Sequence, residues 1–362
     1  MKYIRVKKNM NIANFKVHQN NIAFNNKSND LFVNDSLLVN NHRSYFFYES
    51  YLCYHTEEEE TIFYDYFTKK CFKIDVFFHK DNFINNNFLT SKNIFRSEEG
   101  KWLSDLYLYQ LTPFKELKKI DYYIEGGYHR LENNILQILN RKNIQLYNFE
   151  NAQTVWHFSL SSKYNYFKEA DYQGEPPVEV QAEVIKFLGV YKNELWLVLN
   201  SGLLAINIDT GTETRYIKEG KMALGEPFFE NFKGYFGYDT VLDEEKGIIF
   251  NLNLHFYIEY DLNSNKNYFD SYSFKDSSQK NGLVLNYIGG YDAENIYAYE
   301  GSKNNRFAIF SRDKKGIIWS GEIPEAKDKF PAIKDLQYGA GKLYVLDHYN
   351  TLHIFEGEIN RN

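Results

Sequence analysis

Two cysteines in 362 residues, Cys53 and Cys71, are too few to staple a chain of this size. Disulfides are therefore excluded as the main source of stability, and a reducing compartment is the expected setting. Proline and methionine are also scarce, at 6 and 3, against 31 Tyr and 30 Phe, and that balance favours strands over helices. No apolar run approaches the roughly 18 residues of a membrane span. The N-terminal segment is positively charged but never reaches the roughly seven consecutive apolar residues at the centre of a signal peptide, so a soluble, cytoplasmic protein is expected. With a net charge of -6 the chain also lacks the basic excess that displaces counterions from phosphates, and no nucleic-acid partner is expected.

Catalytic motifs are missing as well. There is no G-x-S-x-G elbow, no H-E-x-x-H helix and no G-x-x-x-x-G-K-[ST] loop. The nine histidines do not cluster at zinc-ligand spacing; His348 and His353 flank a predicted turn, while His129 and His157 fall in different elements, and all read as solvated or half-buried. Residues 261–267 begin like a calcium loop, but Lys266 and Tyr272 stand where that loop needs Gly and Glu, so a hairpin turn is expected there. Asp243, Glu244 and Glu245 precede Lys246 and Gly247 and read as a turn rather than an acid/base pair. Neither a metal nor a cofactor is expected.

What the chain does contain is a repeated alternation of short apolar runs and turn residues. It is clearest over residues 178–218, where runs at 183–189, 194–199, 203–208 and 213–217 are separated by Tyr191-Lys192-Asn193, Asn200-Ser201-Gly202 and Asp209-Thr210-Gly211. Four strands in about 40 residues is the size of one propeller blade. Turn signals recur near residues 69, 115, 151, 210, 264 and 315. With an incomplete last unit over 333–355, they predict an all-β, closed β-propeller in one domain, with seven blades preferred over six or eight. Tyr3-Ile-Arg-Val6 at the N-terminus is expected to supply the missing strand of that last blade. Residues 161–177, with Gly174, Pro176 and Pro177, break the pattern and read as a connector, and a split there into 1–165 and 178–362 is the alternative.

Two of these units, around residues 195–213 and 341–355, resemble the repeats of quinoprotein-like (PQQ-like) propellers. The likeness is vague before residue 130. Cys53 and Cys71 are not adjacent and no tryptophan-docking repeat recurs, so the resemblance implies the fold and not the quinone.

The loops between second and third strands, and those between blades, share one face in such a fold, and ligands are expected there. By this alignment that face carries Glu57, Glu58, Glu59 and Glu60, the one acidic run, together with Arg141, Lys142, Tyr172 and Tyr349. Clustered carboxylates speed encounter with a basic partner. The leading expectation is a non-enzymatic protein-binding module, in its narrowest form a bacterial immunity protein that caps a basic toxin domain. The rivals are a carbohydrate-active enzyme with its site in the central channel and a structural subunit of a larger assembly. Trp196 is expected in the core.

Overall fold

The computed structural model describes residues 3–58, 60–74, 83–84, 86–96, 101–124, 128–168, 176, 178–218, 236–253, 256–271, 283–300, 305–323 and 332–357. Among them helix is confined to one short 3-10 turn, Ser162–Tyr164. The strands form eight four-stranded antiparallel sheets, seven of them from strands consecutive in sequence. These blades cover residues 12–39, 42–74, 83–124, 128–159, 184–218, 241–271, 287–322 and 333–357. The eighth takes its fourth strand from Tyr3–Asn9, which pairs antiparallel with Leu352–Gly357. The N-terminal strand was thus correctly assigned, but the blade count is eight rather than seven. The blade missed was the first, whose outer hairpin is two short strands, Leu31–Val33 and Ser36–Val39, joined by a two-residue turn.

The burial of the fifth blade shows why the apolar runs are continuous. Its middle strands, Glu194–Leu199 and Gly202–Asn207, are buried at every position but one each, whereas the outer strand Glu213–Lys218 is nowhere buried. Middle strands covered on both faces need apolar residues at successive positions, which overrides the alternation of a half-exposed strand. Leu136, Ile144, Leu146 and Trp156 of the fourth blade pack in one cluster with Leu195, Leu197, Leu199, Leu204 and Ile206 of the fifth. Equivalent clusters join the first blade to the second and the eighth to the first. Trp196 is fully buried, as expected.

The outer hairpins repeat one device. The residue ending the third strand is Asp65, Asn148, Asn207 or Asp261, and its Oδ1 accepts the backbone N–H groups two and three positions on. Four positions on, the chain turns left-handed at Lys69, Ala152, Gly211 and Asn265. The next residue after the third strand donates its N–H to the turn joining first and second strands, as in Tyr66 to Ser50, Phe149 to Asn133, Ile208 to Asn193 and Leu262 to Gly247. Asp261 is therefore a turn residue, as its failed calcium pattern indicated, and its carboxyl is held below the usual range by the Ser264 hydroxyl and the Asn263 and Ser264 N–H groups.

The chain divides into two compact units, one of residues 1–76, 252–258 and 267–362, the other of 77–251 and 259–266. In the second unit, the broken segment after the fourth blade contains a small two-stranded sheet, Tyr166–Lys168 with Val178–Val180.

Candidate functional site

Hydrogen bonds place the loops between second and third strands beside the connections between blades. Ile12 N–H donates to the Asn350 carbonyl at 2.7 Å, His42 N–H to Asn29 at 3.1 Å, Val184 N–H to Arg141 at 2.7 Å and Ile323 N–H to Asn305 at 3.1 Å. In each case the two loop types meet at the same end of their blades, the arrangement on which the sequence-based site rests.

In the unit that contains both termini, the acidic run forms the turn between Tyr51–Thr56 and Thr61–Asp65. Thr56 N–H donates to the Glu60 carbonyl and Glu60 N–H to the Thr56 hydroxyl. The Glu60 carboxylate pairs with Lys73, while Glu57 and Glu58 are exposed. Glu59 lies outside the described residues. Tyr349, 51% exposed, sits in the loop between Lys342–Asp347 and Leu352–Gly357. That loop is tethered from within: Asp347 Oδ1 accepts Thr351 N–H at 2.9 Å, and its Oδ2 lies 2.9 Å from His353 Nε2. His353 is fully buried, and His42 and His55 are buried too, correcting the reading of the histidines as solvated or half-buried; His348 is exposed. No hydrogen bond or ion pair among the described residues joins the acidic turn to Tyr349.

Beside Tyr349 the structure adds a residue that the sequence did not signal. Met10, 68% exposed, precedes Ile12, whose N–H holds the Tyr349 loop through Asn350. Asn11 between them is left-handed, at φ 65°. Two apolar side chains are thereby carried on adjacent, backbone-tied loops.

Arg141 and Lys142 belong to the other unit, in the turn after Asn134–Leu139. Their main chain holds the following connection, through Val184 N–H to Arg141 and Leu160 N–H to Lys142. Their side chains reach the base of the small two-stranded sheet: Arg141 lies 3.6 Å from the Glu183 carboxylate, and Lys142 donates to Gln181. Asn165 fixes that sheet by accepting Ala182 N–H at 3.1 Å and donating to Glu179 at 2.9 Å. Tyr172 lies outside the described residues. Two further apolar side chains are exposed on this side of the unit, Val178 at 58% and Tyr238 at 67%. The loop carrying Tyr238 is pinned by Lys186, whose Nζ donates to the Tyr238 and Thr240 carbonyls at 2.8 Å. Burial lowers the Lys186 pKa and raises that of Asp239, outweighing the attraction between the two.

Among the described residues no group of three or more His, Cys, Asp or Glu is placed to hold a metal ion, and no helix is long and apolar enough to cross a membrane. No protein-family model and no curated protein matches the chain. Solved structures do. Sqt1 from Saccharomyces cerevisiae superposes with a TM-score of 0.57 at 10% identity, covering 99% of this chain and 98% of that one. The computationally designed Ika8 protein gives 0.50 at 8%, covering 96% of each. The chain is a β-propeller of eight four-stranded blades. BamB from Moraxella catarrhalis is similar at 9% identity over 100% of both chains, with a TM-score of 0.45. At such identities the likeness of Sqt1 and Ika8 speaks for the propeller fold alone.

Proposed function

We propose that this propeller is a non-enzymatic protein-binding module that engages its partner through the loop ends of its blades. The observation that carries this reading is the pair Met10 and Tyr349, exposed on neighbouring loops whose backbones are hydrogen-bonded to each other. Single exposed apolar side chains are ordinary on a protein surface. A tyrosine and a methionine on two tethered loops are different: both residue types are enriched in interfaces, and loops already held in place lose little freedom on binding. The exposed carboxylates of Glu57 and Glu58 would raise the encounter rate with a basic partner. An immunity protein capping a basic toxin domain in the cytoplasm is the specific form of this proposal. Neither nucleic acid nor a membrane enters it.

The test is affinity capture with the tagged chain, followed by titration of each retained protein against the parent and the Met10→Asp/Tyr349→Ala double variant. A retained partner whose affinity falls at least roughly tenfold in the double variant supports the reading. Replacing Glu57 and Glu58 by Gln should slow association at low salt while leaving dissociation unchanged. Failure to retain any protein, or retention that the double variant leaves intact, would overturn it.

A further inference from the structure

The unit of residues 77–251 and 259–266 holds a groove of about 760 Å³ at the opposite ends of its blades, where first and second strands turn. Phe187, Val190 and Ile208 contribute apolar side chains to its lining. The polar groups along it are fixed by their own hydrogen bonds. Asn148 Nδ2 donates to Asn134 Oδ1 at 3.0 Å, and the Asn134 amide N–H groups have no partner among the described residues. Asn193 Nδ2 donates to Asp209 Oδ2 at 2.7 Å, which leaves the side-chain Oδ1 of Asn193 and Oδ1 of Asp209 to accept.

Glu244 reaches the groove because residue 189 is glycine. A Cβ there would lie 2.5 Å from Glu244 Oε1, and the backbone at φ 146° is one that side-chain-bearing residues rarely adopt. The one cation among the described lining residues is already committed: Arg130 donates to the Asn87 carbonyl at 2.8 Å and the Glu132 carbonyl at 3.1 Å. Its charge is therefore directed at main-chain oxygens, while Glu132, Asp209 and Glu244 line the groove. An anionic ligand would be repelled.

We propose that this groove binds a neutral saccharide. Hydroxyl groups both donate and accept, so they can satisfy the carboxylates and the Asn134 amide together. The C–H face of a pyranose would lie on Phe187 and Val190. An alkylammonium or guanidinium group could meet the carboxylates but offers the half-exposed Asn134 amide no acceptor, so a hydroxyl ligand gains a hydrogen bond that such a cation does not. The volume falls in the range of small-molecule sites, about 300 to 1,000 Å³. This site is separate in kind from the protein-binding loops, and either can fail without the other.

Saturation-transfer NMR and calorimetry on the full chain would use a panel of neutral gluco-, manno-, galacto- and N-acetylglucosamine oligosaccharides, with spermine and arginine as cationic probes. At least one saccharide should bind, and its affinity should fall roughly tenfold or more in Asn134→Leu and in Phe187→Ala. Glu244→Gln, at an exposed position, provides a third variant should the other two fail to fold, and it too should weaken binding. The proposal is overturned if no saccharide binds at about 10 mM, a concentration well above useful affinities. Binding that survives in every folded variant, or spermine or arginine binding where saccharides do not, also overturns it.

Discussion

Single residues tie neighbouring blades together where a glycine lets an aromatic ring rest on a turn. Gly211 is left-handed at φ 69°, and a Cβ there would lie 2.5 Å from the Trp156 ring of the preceding blade. The indole in turn donates from Nε1 to the Ile208 carbonyl at 2.7 Å. Gly211→Ala therefore meets both a strained backbone and a ring with little room to move, each costing about 1 to 3 kcal/mol. A fall of at least about 2 kcal/mol in unfolding free energy is expected, measured by denaturant titration. An unchanged midpoint would show that the ring moves aside freely. His42 makes a different residue-scale prediction. Its ring is buried, and burial lowers its pKa against the opposing pull of its 2.5 Å contact with the Asn29 carbonyl and of the Asp30 charge. With the folded pKa below the unfolded value of about 6.5, the unfolded chain binds more protons in this range. The stability contributed by neutral His42 is present above about pH 6.5 and lost as pH falls toward its folded pKa. Asp239 and Asp335, whose pKa values burial raises, act in the opposite sense. The His42 contribution is therefore read as a difference: His42→Gln should lose less stability than the parent between about pH 7 and pH 5. Parallel pH curves for the two proteins would rule it out.

At the scale of the element, the outer hairpin is the unit of the fold, and its Asx turn carries the geometry. Asn207 Oδ1 accepts from Asp209 N–H, from Thr210 N–H and from the Thr210 hydroxyl, at 3.0, 3.0 and 3.1 Å. Asn207→Ala should cost about 1 to 2 kcal/mol, in the range of a lost capping side chain. Asp261→Ala should cost a similar amount for the same reason, and calcium should leave the melting temperature of the parent unchanged if Asp261 serves only its turn. This turn is also what made most of the fold readable. Its polar start and left-handed fourth position leave a trace such as Asn207 to Gly211, and the six turn signals found in the sequence all fall at hairpins between third and fourth strands or beside them. The first blade left no such trace. Its outer hairpin turns at Asn34 and Asp35, both left-handed, in a stretch of asparagines where almost any dipeptide could turn. The loop positions of Glu57, Glu60, Arg141, Lys142 and Tyr349 were legible because they follow from strand order. Exposure was not: Met10 is set out by how its loop is tethered and Val178 by the small sheet it belongs to, and nothing local distinguishes them from Ile12 or Val180. The groove was illegible for a related reason, since it draws Glu244 of the sixth blade over Gly189 of the fifth.

At the scale of the whole molecule, the eighth blade is the one sheet that joins the two ends of the sequence. Tyr3 pairs with Gly357 and Asn9 with Leu352, so the blade cannot be completed by local pairing. The partner strand it covers is buried at four successive positions, from Leu352 to Phe355. Removing residues 1–9 would leave that strand with a free row of backbone groups beside a largely apolar surface, the kind of edge that pairs with other chains. The truncated protein should melt lower and associate at concentrations where the parent does not, as read by calorimetry and light scattering. Truncation alone could act through lost charge, since the segment carries Lys7 and Lys8. A circular permutant separates the two effects. The register places Tyr3 directly opposite Gly357, so a turn of about four residues can join them as an ordinary hairpin. New ends would be opened in the connection after the fourth blade, near residue 176, where the chain already departs from the repeat. If the eighth blade contributes through strand pairing, this permutant should melt close to the parent and well above the truncated chain. It should also fold faster, because the pairing of Tyr3–Asn9 with Leu352–Gly357 becomes local and its loop-closure entropy falls. A permutant that melts as low as the truncated protein would mean that the eighth sheet is not what holds the termini, and that the stability of the terminal strand has another source.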